Sequence, residues 1–297
     1  MKKRILAVLI ATALAVSVTG CAGNATSSSD STSASSVAES SDTSTQTSSD
    51  ASSEDESKNE SSQEESKDLE ANYTKYTLDG DLTQHMIDMS RLNEGNKVRL
   101  ANVIKKLKNG EEVTVGFIGG SITQGTSAGN DLCYAKLTAD WLQKTYSNAK
   151  INYVNAGIGA TGSYIGVHRV ANDLLSKKPD LVFVEFSVND TTENTERNKK
   201  SYDGLLRTIW KSSTNPAIIT IATTQEDGTS FQDQHAEIVK HYDLPMISYR
   251  NTILDTIKHG DIVWKDISDD NIHPNVPGHK IVSQLLQAYI SDVDKDV

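Results

Sequence analysis

Val113-Thr114-Val115-Gly116-Phe117-Ile118-Gly119-Gly120-Ser121 is an apolar run broken by paired glycines and ended by a serine. A short apolar run bounded by turn formers predicts a buried strand. The two glycines permit a tight exit that exposes the Ser121 hydroxyl. Comparable runs follow at Ile151 to Asn155, Leu181 to Ser187, Ala217 to Thr223 and Leu244 to Tyr249. Between them lie stretches of helical period, at Leu132 to Tyr146, Ser163 to Lys177, Glu196 to Ser212 and Phe231 to Tyr242, and Val276 to Val293 closes the chain. Strands alternating with helices over short connections predict an α/β fold: a three-layer α/β/α sandwich around a five-stranded parallel sheet.

If those strands take the flavodoxin-like order 2-1-3-4-5, ligands bind beyond their carboxyl ends, near the reversal between strands 1 and 3. The unusual polar residues fall there. Ser121 follows the first strand, Asn155 to Ser163 the second and Asn189 the third, while Asp270 and His273 lie on the connection after the fifth. A serine hydroxyl needs a base to take its proton during attack, and imidazole suits that task near neutrality. His273 is the candidate base, and Asp270, three residues earlier, can fix its tautomer and steady the imidazolium. A tetrahedral intermediate also needs donors aimed at its oxyanion. The candidates are the N–H of Ser121, a backbone N–H in the Gly159-Ala160 turn, and the Asn189 side-chain amide.

Other residues carry less. Trp264 is the best aromatic for stacking on a sugar ring, with a core or lid position as the equal alternative; Gln232 and His235 are possible substrate contacts. Glu185 reads as a buried hydrogen-bonding partner rather than a catalytic acid. Cys133, beside Leu132 and Tyr134, reads as a helical core position. Asp269, Asp270, His273 and His279 lack a thiolate or a second compact ligand pair, so no metal is expected. From Asn96 to Lys108 an amphipathic helix is predicted, with Val98, Leu100, Val103, Ile104 and Leu107 inward. Residues 73–93 either drape over the domain or supply a small β element.

Four blocks resemble the GDSL or SGNH hydrolases. Gly119-Gly120-Ser121-Ile122-Thr123-Gln124-Gly125 is similar to their first block, with Gly120 in place of the Asp of the family's name. Asn155-Ala156-Gly157-Ile158-Gly159-Ala160-Thr161-Gly162 is similar to the second, Val188-Asn189-Asp190 to the third, and Asp270-x-x-His273-Pro274 to the fifth. The resemblance spans Val113 to the C-terminus. It implies the SGNH hydrolase fold and ester hydrolysis through an acyl-enzyme, with no organic cofactor and no metal. Where the family usually has the oxyanion glycine, this chain has Ala160, whose backbone N–H can still serve.

The N-terminus has a different character. Met1-Lys2-Lys3-Arg4, an apolar run from Ile5 to Val18, and Val18-Thr19-Gly20-Cys21 read as a signal peptide over residues 1–20. Cleavage before cysteine resembles a bacterial lipobox, implying that Cys21 carries the lipid; a plain secretory peptide is the alternative. Residues 21–72 are dominated by Ser, Thr, Asp and Glu and bury too little to offset ordering entropy, so they read as a disordered tether. Most of the net charge of −11 lies in this stretch, leaving −4 from Ala71 onward. That balance gives no electrostatic case for nucleic acid. The expected organisation is a lead-in over residues 73–110 and a hydrolase domain over 111–297, lipid-anchored on the outer face of a bacterial membrane. The expected reaction is deacylation, most simply deacetylation, of polysaccharide or another ester. Transfer to a glycan acceptor, lysophospholipase or thioesterase activity, and glycan binding without catalysis are the competing readings.

Overall fold

The computed structural model describes residues 73–191 and 194–297. The expected signal peptide, lipid-bearing Cys21 and tether all lie outside the described residues. The central sheet has six strands in the order β1-β6-β5-β4-β2-β3. These are β1 (Arg91–Asn93), β2 (Glu112–Gly119), β3 (Lys150–Gly157), β4 (Leu181–Glu185), β5 (Ala217–Ala222) and β6 (Met246–Ser248). Five pair in parallel, in the expected order, with Gly119 registered against both Gly157 and Glu185. The sixth, β1, runs antiparallel to β6. It comes from the lead-in, and three residues are too few to show an alternation in the sequence.

Every residue of β4 and β5 is buried, which is why these strands read as unbroken apolar runs. Their period of two sorts them between two cores. Leu181, Phe183, Ile219 and Ile221 face one core, with Val113, Val115 and Phe117 of β2; Val182, Val184, Ile218 and Ala222 face the other. On the first face pack α2 (Val98–Lys108), α4 (Tyr134–Thr145), α8 (Tyr249–Lys258) and α10 (Val276–Lys295), introduced by α1 (Gln84–Ser90) and α3 (Ser121–Gln124) and with α9 (Trp264–Ile267) alongside. On the second pack α5 (Ser163–Asp173), α6 (Thr195–Trp210) and α7 (Gln232–His241). The three layers are thus present.

Several details differ from expectation. The run Leu244 to Tyr249 contributes only Met246–Ser248 to the sheet, and Tyr249–Lys258 is a helix whose apolar period was masked by its polar residues. The Ser248 hydroxyl caps that helix by accepting the Asn251 N–H. Val98 is 63% exposed, not inward, because it opens α2 before the buried stripe of Leu100, Val103, Ile104 and Leu107 begins. Cys133 is fully buried at the N-cap of α4.

Candidate active site

The nucleophile turn is built by what glycine lacks. Gly120 caps the N-terminus of α3, so Ser121 is its first residue and the Ser121 N–H has no carbonyl within the helix to bond. A Cβ on Gly120 would lie 2.0 Å from Asn189 Oδ1. The Asn189 amide therefore rests against the residue preceding the serine, and any side chain there would evict it. At Gly157 a Cβ would meet the Gln124 backbone N at 2.3 Å, so β3 ends in contact with the helix that carries Ser121.

From the far end of the chain, His273 reaches the same place. Its Nε2 accepts the Ser121 hydroxyl at 2.9 Å, and its Nδ1 donates to Asp270 Oδ2 at 2.7 Å. The other carboxylate oxygen, Oδ1, accepts the N–H groups of Ile272 and His273 at 2.7 and 2.6 Å. Partial burial works to raise the Asp270 pKa, but the amide and ring hydrogen bonds of His273 and the Ile272 amide outweigh it and hold the carboxylate below its usual range. Asp270 stays ionised and the ring keeps Nδ1–H, leaving the Nε2 lone pair toward serine. The side chains of His273 and Asp270 are 21% and 47% exposed, so the site is open to bulky molecules.

The loop bearing these two residues is braced from beneath. Trp264 Nε1 donates to the Asp270 carbonyl at 2.6 Å, and the Ser268 hydroxyl lies 2.8 and 2.6 Å from the carbonyls of Asp270 and His273. Trp264 is 7% exposed. It is a buried brace for the loop, not a platform for a sugar ring.

The expected oxyanion donors divide. The Gly159 N–H is occupied by Gln124 Oε1 at 2.8 Å, so Gly159 is not a donor to substrate. That bond ties the turn to the helix that begins at Ser121; the next residue, Ala160, sits at φ +58°. The left-handed region disfavours alanine, so its backbone is held there by its surroundings. Asn189 begins a short 3-10 turn ending at Thr191.

Gln232 and His235 are buried and are not available as substrate contacts. Gln232 is buried, with Nε2 donating to Asn251 and Oε1 accepting from Ser248. His235 is fully buried, stacked on Tyr202 at 3.5 Å with Nε2 2.9 Å from Asp190 Oδ2. Both lie on the inward face of α7, where polar residues within an amphipathic pattern gave no sign of burial. Asp190 Oδ1 also accepts the first N–H of α5, from Ser163, so the buried Asp190-His235 pair locks the third block to the second. Glu185 is buried as expected, accepting from Thr223 and Ser187; burial pushes its pKa up against those bonds.

Two positioning residues escaped the sequence reading. Arg169 on α5 donates to the carbonyls of Gly119 and Ala156 at 2.9 and 2.6 Å, clipping together the strand ends on either side of the site. His279 on α10 accepts the Tyr134 N–H at Nδ1 and faces the Thr126 carbonyl with Nε2, joining the base-bearing segment to the loop after Ser121. Neither sits in a motif, and only the contact reveals its use. Burial, with a smaller contribution from nearby His273, pushes the His279 pKa down to about 4.

Two expected results follow from these contacts. Asn189→Ala should cost about 10² to 10³ in kcat if its amide faces the oxyanion. Gly120→Ala, by displacing the same amide, should cost a similar factor, and the double variant little more. Steady-state kinetics on the three proteins test this, and unchanged turnover in Asn189→Ala would remove it from the hole. The second result concerns pH. Because folded His279 titrates near 4 and the unfolded side chain near 6.5, the unfolded state binds the extra proton between those values. Stability is therefore full above about pH 6.5 and falls by about 3 kcal/mol on descent to pH 4. Buried His235, whose pKa burial also lowers, acts in the same direction. Urea unfolding at pH 7 and pH 4.5 should show the loss, and His279→Gln should flatten the dependence.

The chain belongs to the GDSL-like lipase/acylhydrolase family, which its residues 117–281 match. No curated protein matches the sequence. Among solved structures, a two-domain esterase active on acetylated mannans, co-crystallised with mannopentaose, is 38% identical with a TM-score of 0.68. The match covers 70% of this chain and 57% of that one, so this chain spans little more than half the length of that relative. An acetylxylan esterase from Geobacillus stearothermophilus is similar at 20% identity and a TM-score of 0.51, over 60% of this chain and 94% of its own. An α/β hydrolase from the metagenome of Lake Arreo, Spain, matches at 18% identity and a TM-score of 0.53, over 61% and 96%. These last two share the fold.

Proposed function

We propose that this protein is a serine esterase that removes acetyl groups from polysaccharide hydroxyls. The observation that carries the reading is the unbroken relay from the Ser121 hydroxyl through the His273 ring to the Asp270 carboxylate. Ser121 Oγ attacks the ester carbonyl while His273 Nε2 takes its proton. The Ser121 and Ala160 N–H groups, with the Asn189 amide, bear the oxyanion. Collapse of the tetrahedral intermediate expels the sugar alkoxide, which leaves with the proton from His273 as an alcohol. Water, deprotonated by the same ring, then attacks the acetyl-serine and releases acetate.

The choice of substrate is supported by the relative active on acetylated mannans and by the openness of the triad. A surface cleft of about 470 Å³, lined by Tyr164 at the start of α5 and by His168, Arg197 and Lys200, is a candidate seat for further units of a glycan chain. The proposal also retains the lipid on Cys21 and the acidic tether, which would hold the domain off a membrane within reach of an insoluble target.

Acetate release from acetylated mannan, xylan, pectin and peptidoglycan, compared with Ser121→Ala, tests the reading. Release from one or more of these glycans, with none from the variant, is expected. Equal release by both proteins would remove Ser121 as nucleophile. Preference for p-nitrophenyl esters longer than butyrate would instead favour a lipid or thioester substrate, and acetyl appearing on an added acceptor glycan would favour transfer over hydrolysis.

A further inference from the structure

Among the described residues, one group of three metal-competent side chains stands outside the site: His85 on α1, Asp255 on α8, and His259 just past the end of α8. Asp255 and His259 are four residues apart on one helical face, which is the spacing at which two side chains converge on one point. His85 meets them from the neighbouring helix. One ligand atom from each lies within 4.8 Å of the others, and Asp255 Oδ2 is 2.6 Å from His85 Nε2 and 3.3 Å from His259 Nδ1.

We propose that His85, Asp255 and His259 form a binding site for a divalent transition-metal ion of the zinc type. Bonds of about 2.0–2.1 Å in a tetrahedron set ligand atoms roughly 3.3 Å apart, so the Asp255–His259 pair at 3.3 Å already fits, the Asp255–His85 pair at 2.6 Å must open, and the two rings lie within 4.8 Å of each other. Two imidazole nitrogens with one carboxylate oxygen suit zinc; calcium and magnesium prefer oxygen throughout. Three protein ligands leave a fourth position for water. To bind the ion, each ring presents the lone pair of the nitrogen that now faces Asp255, carrying its N–H on the other ring nitrogen, while the carboxylate offsets part of the ion's charge. His259 Nδ1 also contacts the Asp255 carbonyl at 2.9 Å, but that carbonyl accepts the His259 backbone N–H at 3.0 Å and remains satisfied when the ring turns to the ion.

The surroundings hold the rings in place. Tyr73 stacks on His259 at 4.2 Å and presents its edge geometry to His85 at 5.4 Å. Tyr76 N–H bonds Asp261 Oδ2 at 2.7 Å, two residues beyond His259. An ion here would cross-link α1 to α8 at the point where the described chain begins, on side chains that make none of the contacts of Ser121, Asp270 and His273. Its effect is on stability, not on the chemical step.

The experiment is calorimetric titration of Zn²⁺ into the chelator-stripped full chain at pH 7.5, with thermal unfolding in its presence and absence. One ion per chain at micromolar or tighter affinity, and a higher Tm, are expected. His259→Gln and Asp255→Asn should each weaken that binding by about 100-fold or more and abolish the rise in Tm. His259→Gln should turn over p-nitrophenyl acetate at the wild-type rate and unfold cooperatively without metal, showing that the variant folds, even if loss of the Tyr73 stack lowers its Tm. Zinc held by other histidines or by Cys21 would survive in both variants. No binding to the wild type, or equal stoichiometry and affinity in His259→Gln, would overturn the site. Neither outcome depends on whether Ser121 performs catalysis.

Discussion

His273→Ala is expected to lower kcat by about 10⁴ to 10⁶, with little change in KM, because it removes the group that both accepts the serine proton and returns it to the leaving alcohol. The geometry makes this the most severe single change. Ser121 Oγ has the His273 ring nitrogen at 2.9 Å as its proton acceptor, and an unassisted hydroxyl is a poor nucleophile near neutrality. Labelling of Ser121 by a fluorophosphonate should slow in parallel, since that reaction needs the same deprotonation. Steady-state rates with p-nitrophenyl acetate and gel labelling with a fluorescent phosphonate check both. Turnover within tenfold of wild type would mean that His273 is not the base.

Asp270→Asn should cost about 10⁴ in kcat while leaving the fold intact. The Asn oxygen can still accept the Ile272 and His273 N–H groups that Asp270 Oδ1 accepts now, so the loop keeps its shape. Its NH₂, turned toward His273 Nδ1, favours the tautomer with the proton on Nε2. That nitrogen then has no lone pair for the serine proton. An unchanged Tm beside the kinetic loss separates this from a merely structural role, because collapse of the loop would lower both. Asp270→Ala, which loses the two amide bonds as well, should lower Tm in addition. A kcat for Asp270→Asn close to wild type would show that the ring holds its tautomer by other means.

The centre of the sheet was legible because β4 and β5 are buried on both faces. Ala217 to Ala222 and Leu181 to Glu185 carry their signal in every residue, and no turn former interrupts them. What lies at the margins was not. β1 is too short for its period to show, and α8 mixes Arg250, Asn251 and Asp255 into its apolar stripe. In the site, Ser121, Asp270 and His273 were recognisable because proton transfer demands specific residue types at a specific end of the sheet. The supporting residues obey no such demand. Whether Gln124 takes the Gly159 N–H or leaves it for substrate depends on a rotamer. Trp264 was balanced between sugar platform and core, and one hydrogen bond to the Asp270 carbonyl decides for the core. His235 and Gln232 were misplaced because a polar side chain on a helix gives no local sign of whether its face turns to solvent or inward.

The nucleophile and its base are separated by 152 positions, and the His279–Tyr134 bond lies across the same seam. Nothing local holds the pair. They meet only when α10 has settled over α4, bringing ten buried residues with it. Ser121 therefore stays inert until the chain as far as α10 has been made and packed, and a protease that severs α10 should extinguish activity without touching a reacting atom. Turnover thereby reports on assembly: a copy in which α10 has not docked is silent.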